Sequence, residues 1–161
     1  MTSELHEVYL NIGSNIEPEK YLPRAIRLLR EQGEVRAISK AWESHAYGSD
    51  GPDFLNACVL FLTPLDPQKL KEQILRPIES ALGRVRGPDK YAPRTIDIDI
   101  VLFDGEVFSG EFWSNAFVVV PLADILPDLH HPRHYEQLSQ VAMHLRRQTW
   151  IVARPDVLNS I

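Results

Sequence analysis

Residues 7–12 alternate toward an apolar strand, and the chain then breaks at Gly13-Ser14-Asn15, which reads as a turn. Pro18 suits the first turn of a helix running to about residue 32. Leu22, Ala25, Ile26 and Leu29 give that helix an apolar stripe, and Gly33 suits its stop. Residues 35–44 read as a second strand and 54–62 as a third, joined by a polar Gly/Ser/Asp loop at 47–53. Asp66-Pro67 opens a second helix, with aspartate as N-cap and proline as first helical residue. Leu70, Ile74, Ile78 and Leu82 line one of its faces, and Pro77 is a candidate kink. The β-branched run of Ile96, Ile98, Ile100 and Val101 predicts the next strand, followed by a short hairpin at Asp104-Gly105. Residues 117–120 read as a further extended piece, 121–125 as a helical turn and 135–146 as a terminal helix. The order β-α-β-β-α-β predicts an α+β, ferredoxin-like core with mobile loops and a C-terminal helical extension. The expected organisation is one domain over 1–161, with its core at about 7–132 and the extension at 133–161.

Composition narrows this picture without pointing to a chemistry. A chain of 161 residues is long enough to bury a normal core. Its net charge of −5 argues against a general nucleic-acid surface, so any arginine cluster must act locally. The single cysteine, Cys58, lies in an apolar run and reads as a buried thiol. The N-terminal residues carry no basic stretch followed by an apolar one, and no apolar segment approaches a membrane span. A cytoplasmic protein is expected, a monomer, with small-molecule substrates and neither nucleic acid nor membrane as partner.

The chemistry concentrates in residues 83–104. Arg84, Arg86 and Arg94 precede Asp97 and Asp99, which are two apart within the apolar run. On a strand both carboxylates point to one face while the isoleucines between them face a core. Two adjacent carboxylates repel and call for a cation or a shared proton. Guanidinium forks beside them suit phosphate oxygens, so the set matches magnesium–nucleotide chemistry. Blander readings stand beside this one. The aspartates could be solvent-facing residues of an amphipathic strand, and Arg84 and Arg94 their structural ion-pair partners. Glu79 could be a helix-surface acid, or could orient an arginine or a nucleotide. Phe54 and Phe117 taken singly are ordinary core residues, and Asn56 suits a strand-end backbone hydrogen bond. The residues at 130–134, three of them histidine, lack the separated ligand pairs of a structural zinc site and read as a solvated loop. Gly13-Ser14-Asn15 lacks the lysine and glycine spacing of a P-loop.

From about Val8 to Pro132 the chain resembles the 6-hydroxymethyl-7,8-dihydropterin pyrophosphokinases. The resemblance rests on Gly13-Ser14-Asn15, Pro52-Asp53-Phe54-Leu55-Asn56-Ala57, and Ile78-Glu79 ahead of Gly83-Arg84. It continues in Pro93-Arg94-Thr95-Ile96-Asp97-Ile98-Asp99 and Phe117-Val118-Val119-Val120-Pro121-Leu122. It implies transfer of pyrophosphate from ATP to a pterin alcohol in the folate pathway, with release of AMP. It further implies that Asp97 and Asp99 hold two Mg2+ bridging the triphosphate, while Arg84 and Arg94 neutralise charge as the β-phosphate is attacked. Phe54 and Phe117 would sandwich the pterin ring, and Asn56 and Ser44 would serve its polar edge. Glu79, Arg86 and Tyr91 would join Arg84 and Arg94 around the nucleotide, and the loops at 46–52 and 86–93 would close as lids.

The chain departs from the family pattern mainly on the nucleotide side. Members of the family carry a histidine-containing segment and an arginine shortly before the position of Phe117. Here residues 109–116 are shorter and contain neither. The first lid is about one residue short at Ser44-His45-Ala46, and Gly87 stands where a basic residue is often found. Weaker ATP binding than is typical is therefore expected, or compensating contacts from Lys90 or Arg86. Two rivals remain: a degenerate relative that binds pterin or nucleotide with little turnover, and a ferredoxin-like interaction module with no small ligand.

Overall fold

The computed structural model describes residues 4–46, 50–108, 112–130 and 136–161. Strand β1 (His6–Ser14) runs on through Gly13 and Ser14, so the expected turn begins only at Asn15. Helix α1 (Pro18–Gln32) starts with Pro18 at its first position, after Glu17 in the left-handed region. It ends at Gly33, whose φ of −179° is simply extended. Glycine is needed there for space: a Cβ would come within 2.7 Å of the Phe61 ring and 2.8 Å of the Leu62 carbonyl.

The expected second strand is two strands, β2 (Glu34–Ile38) and β3 (Ala41–Ser44). The break falls at buried Ser39. Its N–H donates to the Cys58 carbonyl, and its hydroxyl accepts from the Cys58 N–H at 2.8 Å. Strand β4 (Phe54–Thr63) follows as expected. Asp66 then caps helix α2 (Pro67–Leu70), accepting from the Lys69 N–H at 2.8 Å. A π-helical turn (Lys71–Leu75) leads into α3 (Arg76–Ala81). Pro77 can give no N–H to the turn before it, and the wider π turn just upstream absorbs that loss in place of a sharp kink.

Strands β5 (Asp97–Phe103) and β6 (Glu106–Val107) form the predicted hairpin, with φ positive at both Asp104 and Gly105. A 3-10 turn (Phe112–Ser114) precedes α4 (Ala116–Ile125), so the extended piece expected at 117–120 is helix. The run at 118–120 is apolar on every side because the helix is buried continuously over 118–122, and propensity alone therefore points to strand. Helix α5 (Leu138–Gln148) is the terminal helix. The extension also supplies an edge strand, β7 (Ile151–Arg154).

All strand pairings are antiparallel, in the order β6-β5-β1-β4-β3-β7, with β2 also paired to β4. The central arrangement β5-β1-β4-β3 is the ferredoxin-like one. One core lies between the sheet and the helices α1, α2 and α3, built on Val8, Leu10, Ile12, Ile26, Phe61 and Ile98. A second lies on the opposite face beneath α4 and α5, with Trp42, Cys58, Phe112 and Val119. Asp124 of α4 ties that layer to the sheet, accepting from the Trp42 indole at 2.9 Å and the Lys40 N–H at 3.1 Å. None of the described helices is long and apolar enough to cross a membrane.

Candidate active site

The register of β5, β1 and β4 builds the site. Asp97, Gly13 and Asn56 stand in one row across the three strands, and Asp99, Asn11 and Cys58 in the next row on the same face. Gly13 lets this row close up. A Cβ on it would lie 2.5 Å from the Asn56 amide nitrogen, so the Asn56 side chain occupies the space a larger residue would take.

Over this face opens a cavity of about 370 Å3. Phe54, Asn56 and Ser44 line it from β4 and β3, and Phe117 lines it from the first turn of α4. Asp97, Asp99, Arg94 and Tyr91 complete the wall opposite, together with Lys90 and His45. All four residues expected around a pterin therefore meet the two carboxylates in one hollow. Beside it lies a second cavity of about 350 Å3, lined by Lys71, Phe108, Phe112 and Asn115 among others. Asn11, Asp99 and Phe117 line both.

Glu79, Arg84 and Arg86 stand behind this wall. Glu79 is 3% exposed, which overturns its reading as a helix-surface acid. Its carboxylate accepts from Arg84 at 3.0 Å, from Arg86 at 2.7 Å and from the Ile98 N–H at 2.9 Å. Ile98 separates the two aspartates, so Glu79 fixes the backbone between them. Arg84 also donates to Asp97 at 2.6 Å and to the Ile96 carbonyl at 3.2 Å. Arg94 lies 3.6 Å from the other Asp97 oxygen and donates to the carbonyls of Lys90 and Ala92. The ion-pair reading of Arg84 and Arg94 is thus realised.

All three arginines engage Asp97 or Glu79. Asp99, on the solvent-reached wall, has its pKa pushed up to about 7. The crowded surroundings are the main cause; Asp97 and Glu79 add to it, and Arg84 opposes it. A carboxylate held this way is short of positive charge. A hard divalent cation bound by Asp97 and Asp99, with phosphate oxygens completing its shell, fits that donor set.

Asn15 belongs to the Gly13-Ser14-Asn15 turn, which carries part of the family resemblance and is expected to pack near the pterin pocket. Buried, Asn15 exchanges two hydrogen bonds with Arg94, its oxygen accepting from the Arg94 N–H at 2.8 Å and its own N–H donating to the Arg94 carbonyl. Its amide nitrogen reaches the Pro52 carbonyl at 3.2 Å. The chain at Pro52 and at Arg94, beside the two loops expected to act as lids, is therefore fastened to the end of β1. Asn11 was missed, although an asparagine inside Val8-Tyr9-Leu10-Asn11-Ile12 was a visible polar interruption of an apolar strand.

The family profile for 7,8-dihydro-6-hydroxymethylpterin-pyrophosphokinase (HPPK) matches residues 9–127. The chain belongs to the HPPK family. A 2-amino-4-hydroxy-6-hydroxymethyldihydropteridine pyrophosphokinase of Methylorubrum extorquens is 38% identical over 133 residues, 75% of this chain and 83% of that protein. The enzyme of the same name from Aquifex aeolicus is 35% identical over 143 residues, covering 83% of this chain and 88% of that one. Among solved structures, a Plasmodium falciparum HPPK-DHPS chain with pteroate is similar in fold, with a TM-score of 0.65 and 11% identity. That match covers 89% of this chain and 43% of the Plasmodium chain. The HPPK match spans every strand of the site from β1 to β5 as well as α4, and ends before α5 and β7. Residues 47–49 of the first lid, 109–111 of the shortened segment and 131–135 of the histidine cluster lie outside the described residues.

Proposed function

We propose that this HPPK-family chain transfers pyrophosphate from ATP to the hydroxymethyl group of 6-hydroxymethyl-7,8-dihydropterin, releasing AMP, as a step of folate biosynthesis. The observation that carries this reading is the meeting of Phe54, Asn56 and Phe117 with Asp97, Asp99 and Arg94 around one hollow. A flat heteroaromatic ring with a polar edge suits two phenylalanine faces and a buried asparagine amide. The adjoining cavity, with Lys71 on its wall, takes the nucleotide. The two substrates then meet at Asp99 and Phe117.

Asp97 and Asp99 would hold magnesium, two ions in the family's manner, which when bound would supply charge screening for the triphosphate and a lower proton affinity at the attacking oxygen. The hydroxymethyl oxygen forms the new bond to the β-phosphorus, the α,β-bridging bond breaks, and AMP leaves. The protein supplies position and charge. Arg94 lies on the cavity wall, where it can follow charge moving toward the leaving group, while Arg84 holds Asp97 from behind. Tyr91 and the loop at 86–93 close over the site and exclude water.

The test is AMP formation from ATP and magnesium, with and without the pterin, in the wild type and in Asp97→Ala. Pterin-dependent AMP, lost in a folded Asp97→Ala protein, is the expected result. A folded wild type that binds the pterin but forms no AMP would replace this reading with that of a binding protein.

A further inference from the structure

Among the described residues, Asn11, Asn56 and Thr95 hold buried side-chain oxygens without a hydrogen-bond partner, and of the three only Asn11 lines both cavities. It is 5% exposed, and its carboxamide oxygen has no hydrogen-bond partner. A buried carbonyl left unpaired is costly, and such groups concentrate where a ligand completes them. Asn11 sits beside Asp99 on β5 and one row from Asn56 on β4. With Asp99 and Phe117 the residue lines both cavities, while its oxygen itself is enclosed, so the carboxamide turns about its last side-chain bond to present that oxygen to a ligand.

We propose that Asn11 is a further substrate-contacting residue, whose carboxamide takes the hydrogen bond of the pterin's hydroxymethyl O–H at the junction of the two cavities. The proposal rests on the pterin reading of the site. The geometry favours this group over the other polar parts of the substrates. Phosphate oxygens are acceptors, as is the unpaired Asn11 oxygen, so they are poor partners for each other. The ring edge faces Asn56 and Ser44 in the main cavity. The nucleotide's ribose hydroxyls and adenine amino group are neutral donors too, but the triphosphate separates them from the reacting oxygen. On this reading that oxygen must meet the phosphorus beside Asp99, next to Asn11. Held there, its proton points to Asn11 and its lone pair is free to face the phosphorus. Asn11 therefore orients the nucleophile and selects for a hydroxyl on the arm.

The test compares binding of 6-hydroxymethylpterin and 6-methylpterin by titration calorimetry, in the wild type, Asn11→Ala and Asn56→Ala. The wild type should prefer the hydroxymethyl compound roughly tenfold, the scale of one buried neutral hydrogen bond. Asn11→Ala should lose that preference, keep its affinity for the methyl compound within about twofold, and melt no lower than the wild type, because an unpaired group has been removed. A purely structural Asn11 would instead lower the melting temperature and weaken both pterins alike, which would overturn the proposal. A preference that persists in Asn11→Ala but vanishes in Asn56→Ala would also overturn it and move the contact to Asn56. Should Asn11→Ala fail to fold, Asn11→Leu, which fills the space without the amide, is read by the same criteria. If the wild type binds neither pterin, the functional reading itself falls; if it binds both and only the Asn11 criteria fail, this proposal alone falls.

Discussion

Replacing Glu79 by alanine tests whether the site rests on a buried charge network. The carboxylate holds three donors: Arg84 at 3.0 Å, Arg86 at 2.7 Å and the Ile98 N–H at 2.9 Å. They do not count equally. The Arg86 side chain is 47% exposed and can turn to water, so its loss costs little. Arg84 is 9% exposed and keeps Asp97 as partner, yet half of its charge compensation disappears. The Ile98 N–H is left with no acceptor in a buried strand. An orphaned buried donor costs about 1–3 kcal/mol, and breaking a buried ion pair about 3–5 kcal/mol. The two overlap here, so Glu79→Ala should lose about 3–5 kcal/mol. Total stabilities of roughly 5–15 kcal/mol make that a large share. Glu79→Gln retains an oxygen for Ile98 but no charge for the arginines, and should lose about 1–3 kcal/mol. Urea unfolding followed by tryptophan fluorescence measures both. A Glu79→Ala loss below about 1 kcal/mol, or a glutamine variant less stable than the alanine one, would refute the network argument.

Three further outcomes follow from named contacts. Gly13→Ala pushes a methyl into the Asn56 amide at 2.5 Å, so pterin affinity should fall roughly tenfold by calorimetry while stability changes by less than about 1 kcal/mol. Asp99 binds its proton more tightly in the folded, ligand-free protein, at about 7, than in the unfolded chain, at about 4. Between those values the folded state holds more protons, so Asp99's contribution to stability declines as pH rises from about 4 to about 7 and is level above. The wild type minus Asp99→Asn difference in metal-free urea melts should show that slope, and an opposite slope would refute it. Burial, with Asp124 adding to it, pushes the Cys58 thiol's pKa up, so iodoacetamide should label it only as fast as the protein unfolds; prompt labelling of the native protein would contradict this placement.

How much of this was legible in the sequence depended on whether the cause was local. Asp66-Pro67 announced its helix through a side chain three residues from its target, and Asp97/Asp99 declared a face by strand alternation. Asp104-Gly105 fixed its hairpin by the left-handed turn it needs. The errors had distant causes. Ser39 splits one strand into two because it exchanges hydrogen bonds with Cys58. Helix α4 has no polar face to reveal its period. Strand β7 has four residues, and it is held by β3 and by Arg154, which reaches Glu43 at 2.5 Å and Asp156 at 3.2 Å. In the site, the residue types were readable, but the depth of Glu79 and the clamp formed by Asn15 were not. Both depend on which loop packs on which strand.

The ion pairs of Arg84 and Arg94 and the proposed catalytic reading are compatible once the two arginines are separated by position. The Arg84 side chain is largely enclosed, lines neither cavity and has acceptors in Glu79, Asp97 and the Ile96 carbonyl; its charge stays in the wall and offsets two carboxylates. Arg94 lines the main cavity and is held on its far side by loop carbonyls, so its guanidinium couples the lid at 86–93 to Asp97. On the proposed reading, a polyphosphate bringing its own cations to Asp97 and Asp99 would relieve the carboxylate crowding and free Arg94 to face phosphate, so that order in the 86–93 loop and charge at the reacting phosphorus would change together. The shortened segment before Phe117 matters less on this account than its missing histidine and arginine suggest. Arg86 is committed to Glu79 and Lys90 faces the main cavity, which leaves Lys71 as the cation on the wall of the second cavity, the one proposed for the nucleotide, among the described residues. A nucleotide held there by one lysine and the metal site, without the family's usual side chains, gains affinity chiefly through magnesium, so its binding should depend on the metal more steeply than in relatives with the full segment.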